Sequence, residues 1–261
     1  MLVILPPSET KRPPPSAGTA LDLDDLSFPE LGPMRTRVID ALIATSLRSD
    51  ALERLGVRSS LRPEVARNEA LRDLPTRRAA DTYAGPLYGG LDSEGWSPGL
   101  WAQAERHLVI VSGLWGALRP ADRIPAYRLH VCSRLAGLDR LEPMWRTLLP
   151  DVLNEAAEGE GPILDVRSRS YLAVGRPPYL DDQTVTLRVR PSPGGPAHIG
   201  DVIAKRVRGE AARHVLASAD DVRDPLDIAD RLRSQWSVEI EPPSVRHREW
   251  LVTLEVPSPG A

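Results

Sequence analysis

Cysteine is almost absent: Cys132 stands alone in 261 residues, which excludes an intrachain disulfide and any cysteine-cluster metal site. A reducing compartment is the one this usage fits. The five histidines, His107, His130, His198, His214 and His247, show no HxxxH or HExxH spacing, so no metal site and no cofactor are expected. The glycine-rich phosphate loops GxGxxG and GxxxxGKS/T are missing, and so is a GxSxG elbow, which removes the motif basis for dinucleotide, P-loop and serine-hydrolase readings. No apolar run approaches the roughly 18 residues that a membrane span needs. Leu2-Val-Ile-Leu5 runs straight into Pro6-Pro7 with no basic segment before it, so no secretion signal is expected and the location expected is cytoplasmic, without membrane.

Lysine is the other scarcity. Of 33 basic residues only Lys11 and Lys205 are lysines. Codon drift toward arginine accounts for the excess, and chance is one account of the two survivors. The other is chemical, since a buried ammonium can lose its proton and act as base or nucleophile, whereas a guanidinium stays charged.

What remains is ordinary globular material, 41% hydrophobic and 26% charged with a net charge of −3. The length points to one elaborated domain, taken as residues 1–257, with a short disordered tail at 258–261 and a monomeric state. Residues 2–5 read as a buried strand, and the proline-stiffened loop PPSETKRPPP that leaves it is either a surface connection or a binding loop. Two or three helices are expected over 33–83, with Val38, Ile39, Leu42, Ile43 and Leu47 on a shared face. Ser97-Pro98 caps a helix to about His107, followed by a strand over 108–112. Residues 113–129 fit no period and read as a long loop, a place where function concentrates. A helix through Leu141, Trp145, Leu148, Val152 and Leu153 and a strand over 163–167 come next. Strict alternation over 184–190 predicts a half-exposed strand with Arg188 and Arg190 on a basic outer face. After a PSPGGP turn at 191–196, a helix over 201–217 is expected to turn Val202, Ile203, Val207, Ala211 and Val215 inward. Asp224-Pro225 caps a last helix, and 238–240 pairs with 250–256. The fold class is therefore α+β, a mixed sheet with surrounding helices.

Charge concentrates in two places. From Thr186 to Arg213, Arg188, Arg190, Lys205, Arg206, Arg208 and Arg213 outnumber Asp201 and Glu210. Lys205 and Arg208 share one helix face, while Arg206 and Glu210 are spaced to pair on another. Gly209 beside them asks for a close approach, by a phosphate ligand or by a neighbouring backbone. From Ala117 to Arg140, five arginines including Arg119 and Arg128 outnumber Asp122 and Asp139. Converging, the two segments would make an anion site or a nucleic-acid groove; apart, each is a solvated face with ion pairs. Trp115 and Tyr127 either stack bases or plug the core. Cys132 reads as a small buried hydrophobe on a strand.

The stretch Ser112-Gly-Leu-Trp-Gly-Ala-Leu-Arg-Pro-Ala-Asp-Arg-Ile-Pro-Ala-Tyr-Arg-Leu129 resembles the signature of the YaaA family of bacterial peroxide-stress proteins. Pro6-Pro-Ser-Glu-Thr-Lys11, Asp81-Thr-Tyr-Ala-Gly85, Tyr88-Gly-Gly-Leu91 and Ala204-Lys-Arg-Val-Arg-Gly209 agree in order and spacing, so the likeness spans most of the chain. Two positions differ from the family pattern: the loop lysine falls at Lys11, and His130 stands where an acidic residue is common. The resemblance implies an unusual single-domain fold with a helix-hairpin-helix-like motif, a positively charged cleft, and binding of duplex or branched DNA with little sequence preference. It also implies a role in hydrogen peroxide stress, protecting DNA and limiting free iron. Carried over, the phosphate-binding residues are Lys11, Ser112, Arg119, Arg128, Lys205 and Arg208, joined by Arg213 from the basic helix. The alternative is an enzyme on a nucleotide or nucleic acid, with Lys205, Lys11, Ser112 and Tyr127 as candidate catalytic groups. A broad basic groove favours the first, and a narrow pocket burying a lysine against Ser112 and Tyr127 favours the second.

Overall fold

The computed structural model describes residues 1–157, 161–178, 180–194, 198–245 and 247–257; the expected tail at 258–261 and the end of the 191–196 turn lie outside them. The strands are β1 (Leu2–Leu5), β2 (Arg77–Arg78), β3 (Leu108–Ser112), β4 (Gly116–Leu118), β5 (Arg123–Ile124), β6 (Ile163–Asp165), β7 (Thr184–Pro191), β8 (Ser237–Glu241) and β9 (Trp250–Val256). The α-helices are α1 (Gly32–Ser46), α2 (Ala51–Leu55), α3 (Arg62–Arg67), α4 (Ala79–Thr82), α5 (Pro86–Leu91), α6 (Pro98–His107), α7 (Leu141–Arg146), α8 (Leu149–Ala156), α9 (Arg169–Leu172), α10 (Asp201–Leu216) and α11 (Pro225–Arg233).

Among the described residues the main sheet has seven strands in the order β4-β3-β1-β6-β7-β9-β8. β3, β1, β6, β7 and β9 run parallel, while β4 and β8 close the two edges antiparallel. The mixed sheet agrees with the expected class, and its parallel centre explains why Leu2–Leu5, Leu108–Ser112 and Ile163–Asp165 are buried at every residue. Strands covered on both faces read as continuous apolar runs. From β1 the chain crosses to β3 on one side and later to β6 on the other, so the loops leaving β1, β3 and β6 emerge together at one end of the sheet. In such sheets the crevice beyond the carboxyl ends of the strands is where ligands bind.

Several expectations needed correction. The loop over 113–129 contains β4 and β5, and it is held inward. Trp115 is fully buried as a plug, and the buried Arg35 donates to the carbonyls of Trp115 (2.9 Å), Ala117 (2.8 Å) and Ser27 (2.7 Å). Cys132 is exposed in a turn, because Cys132 N–H donates to its neighbour His130 Nδ1 (3.1 Å) and turns the side chain outward. The helix expected over 141–153 is two helices, α7 and α8, since Pro150 has no N–H to donate and its ring clashes with a preceding carbonyl. Val202 and Leu47, placed inward by periodicity, are 64% and 65% exposed, each lying in the terminal turn or just past it, where nothing packs. The basic outer face of β7 is cancelled by its partners: Arg188 pairs with Glu241 (3.2 Å), and Arg190 with Glu239 (2.8 Å) and Glu255 (2.7 Å).

Candidate functional site

The loop that leaves β1 lines a pocket of about 270 Å³ with the start of α5, the residues after β6, and one face of α10. Pro6 to Thr10, Tyr88, His130, Ser168 and Tyr171 form its walls, and Lys205 and Arg208 supply its cations. Each piece has a local cause. The loop is extended because its prolines forbid helix, and it is tied down by Ala84 N–H donating to the Thr10 carbonyl (2.9 Å) and Arg12 N–H to the Thr82 carbonyl (2.9 Å). Between α4 and α5 a three-residue turn passes through Gly85, whose φ of +104° suits glycine. The wall after β6 rests on Asp165 and Arg167, a buried pair at 2.6 Å, with Arg167 also donating to the carbonyls of Tyr171 (3.2 Å) and Gly175 (2.8 Å).

α10 reaches the pocket because it lies almost backbone to backbone on α5. A Cβ added at Gly209 would stand 1.9 Å from the Leu87 carbonyl oxygen, and one at Gly90 would stand 2.1 Å from the Arg206 carbonyl oxygen. A neighbouring backbone is therefore what Gly209 accommodates. Arg206 and Glu210 pair on the outer face as their spacing predicts (3.0 Å), which leaves Lys205 and Arg208 on the pocket side. Lys205 is half-exposed and holds Asp201 at 2.7 Å in an ion pair one helical turn away. Arg208 makes no hydrogen bond or ion pair with the described residues, and burial lowers its pKa.

Lys11 is different. It stands one residue past the lining stretch, partly exposed, with Nζ 4.0 Å from the ring centroid of Tyr127 and 5.6 Å from that of Tyr83. Its polar contact is with the Glu9 carbonyl at 3.4 Å, and Glu9 lines the pocket. Burial pushes the Lys11 ammonium down to about 7; the Glu9 carboxylate opposes the shift and the Arg128 guanidinium reinforces it. Arg128 in turn fixes Glu9, bonding its carbonyl (3.0 Å) and its carboxylate (3.1 Å), while Asn68 clasps the Arg128 backbone (2.8 and 3.0 Å).

Under Lys11 the hydroxyls form a directed chain. Ser112 Oγ accepts from the N–H groups of Leu114 (3.1 Å) and Trp115 (3.3 Å), which occupies its lone pairs and makes it the donor to Tyr127 Oη (2.8 Å). Tyr127 then donates to Tyr83 Oη (2.9 Å). Burial pushes the Tyr83 phenol up to about 12 and those of Tyr88, Tyr127 and Tyr171 well above the usual range, so all four stay protonated at neutral pH. Ser112 is thus an anchor for the aromatic floor on which Lys11 rests.

Of the expected site residues, Lys205 and Arg208 line the pocket, while Lys11, Ser112, Tyr127 and Arg128 form an adjoining cluster that meets it at Glu9. The structure does not bring in Arg119, which donates to the carbonyls of Arg106 (3.0 Å) and Leu108 (3.2 Å), nor Arg213, which pairs with Asp92 at 2.7 Å. Asn68 and the Asp165–Arg167 pair escaped the sequence reading, having no motif of their own, and Glu9 stood in the loop motif without a role. The tyrosines carried a usable signal: there are five in the chain, and Tyr83, Tyr88, Tyr127 and Tyr171 all belong to this site. Among the described residues no three His, Cys, Asp or Glu side chains group as a metal ion would require.

A mixed sheet with a pocket at the carboxyl ends of its parallel strands, lined by apolar and polar side chains together and carrying Lys205 and Arg208 on one wall, defines an α/β protein with a formed site. The chain belongs to the family of the peroxide stress protein YaaA, whose model matches residues 1–237. It is similar to UPF0246 proteins: one of Streptomyces coelicolor is 36% identical over 260 residues, covering 98% of each chain. One of Corynebacterium efficiens is 38% identical over 238 residues (89% of this chain, 92% of that one), and one of Corynebacterium glutamicum is 33% identical over 259 (97% and 100%).

Proposed function

We propose that this peroxide-stress protein acts on a nucleotide or on DNA, holding phosphate with Lys205 and Arg208 and presenting Lys11 as base or nucleophile. The observation that carries this reading is the placement of Lys11 on the Tyr127 ring, one residue past the loop stretch that lines a 270 Å³ pocket. A site that only tracked a phosphate backbone would need exposed cations free to meet phosphate oxygens, not an amine whose charge burial suppresses. Near neutral pH such a lysine divides between ammonium and amine, the condition in which a proton-transfer group or nucleophile is most useful. Phosphate recognition suits the other cations: Lys205 supplies a point charge and Arg208 a planar fork without a partner among the described residues.

The test is binding of a fluorescent DNA duplex and of a fluorescent nucleotide across a salt series, wild type beside Lys205→Ala and Arg208→Ala. Both variants are expected to bind more weakly, and for the duplex each lost phosphate contact lowers the salt slope by about 1. Arg119→Ala and Arg213→Ala, whose side chains are engaged elsewhere, should bind as wild type does. Absence of binding to either ligand at low salt would overturn the reading.

A further inference from the structure

We infer that Lys11 is an imine-forming residue, and that the ligand of the pocket is a phosphate ester carrying an aldehyde. The inference rests on the reading of the pocket given above and deepens it by naming the reacting group.

Three observations lead there. First, although 31 of the 33 basic residues are arginine, one of the two lysines, Lys205, lines the pocket, and the other, Lys11, donates to the carbonyl of Glu9, which lines it too. Charge alone would be served by arginine, and Lys205 with its carboxylate partner behaves like one; a primary amine that condenses with a carbonyl is the service arginine cannot supply. Second, Lys11 Nζ has no carboxylate at ion-pair distance among the described residues and rests on an aromatic face at 4.0 Å. An amine held there is desolvated while free, and the cationic iminium that follows condensation keeps the same attraction to the ring. Third, the cations that would hold a phosphate stand across the pocket, on α10, while Lys11 lies behind the loop from β1. One ligand therefore needs an anionic end and a carbonyl end. Condensation requires the flexible stem of Lys11 to carry Nζ past Glu9 toward the cavity.

The step balances without oxidant or reductant. The Lys11 lone pair attacks the aldehyde carbon, a proton passes from nitrogen to the former carbonyl oxygen, and the carbinolamine loses water to leave a carbon–nitrogen double bond. Protonation of that imine gives an iminium. The same chemistry has two sources, an abasic site in DNA or a free sugar phosphate, and the experiment separates them.

The full chain is incubated at pH 7 with a duplex containing one abasic site or with ribose 5-phosphate, then reduced with borohydride and digested for mass spectrometry. The expected product is a Lys11 peptide heavier by the aldehyde less one oxygen atom, absent in Lys11→Arg and reduced in yield in Lys205→Ala. A product with the duplex assigns nucleic acid as the source, and one with ribose 5-phosphate alone assigns the small molecule. The site is read from the wild-type digest, so the result stands even if Lys11→Arg folds poorly. Binding without a trapped product from either aldehyde overturns the imine while leaving the phosphate reading intact, and so does trapping spread over N-terminal and Lys205 amines. Neither binding nor trapping overturns both.

Discussion

Lys11 and Lys205 carry the same side chain in different surroundings, and the surroundings decide what each can do. Lys205 is half-exposed and pairs with the carboxylate of Asp201 at 2.7 Å. Lys11 is packed on tyrosine rings, and burial brings its pKa from the ordinary 10.5 to about 7. Between those pH values the unfolded chain holds a proton that the folded chain has released, so Lys11 makes stability rise with pH across that window. Below it both states are protonated and the full cost of burying the ammonium is felt. Lys11→Met removes this dependence: in urea unfolding, the variant's gain over wild type should be largest at pH 6 and shrink toward pH 10. A constant difference over that range would show that the lysine is not desolvated. The rarity of lysine was legible in the sequence and marked both residues; which of the two is buried was not, because it depends on Tyr127 and Tyr83 arriving from elements far apart in the chain.

At the scale of elements, the contact of α5 with α10 sets the width of the pocket, because Leu87 and Tyr88 on one helix and Lys205 and Arg208 on the other all line it. Gly209→Ala forces a methyl group into the Leu87 carbonyl, 1.9 Å away, and backbone cannot yield as a side chain would. The helices must separate, at a cost of about 2–3 kcal/mol by analogy with overpacked cores, and the pocket wall that carries Lys205 and Arg208 moves with them. Thermal denaturation should show a clear drop in Tm, and duplex binding should weaken beyond what loss of folded protein explains. Arg167→Met acts on the opposite wall by leaving Asp165 buried beside a thioether; removing one partner of a buried pair costs roughly 3–5 kcal/mol. Helix α10 with its two charged faces was readable from three- and four-residue spacing, and so was its glycine. The identity of the facing backbone was not, since a glycine records that something comes close without saying what.

For the whole molecule, the order of strands decides where the site lies, and that order was the least legible property. Local runs such as Leu2–Leu5 and Leu108–Ser112 announced strands, yet the short helices between them blurred the alternation that signals parallel pairing. The last strand shows how far the sheet depends on distant chain. β9 lies between β7 and β8, pairing with both, and its Val252, Leu254 and Val256 are buried against the common core. The family match ends at residue 237, before this strand begins. A chain cut after residue 245 loses those three aliphatic side chains, each worth about 1.5–3 kcal/mol of burial, and exposes the flank of β7. That sum is comparable with the 5–15 kcal/mol by which a typical domain is stable. The truncated protein should therefore lose cooperative unfolding by circular dichroism and the dispersed amide signals of a folded sheet. If it melts cooperatively near the wild-type temperature, β9 is an accessory to a core that closes without it, and the pocket at the far end of β1 and β6 stands on the remaining strands alone.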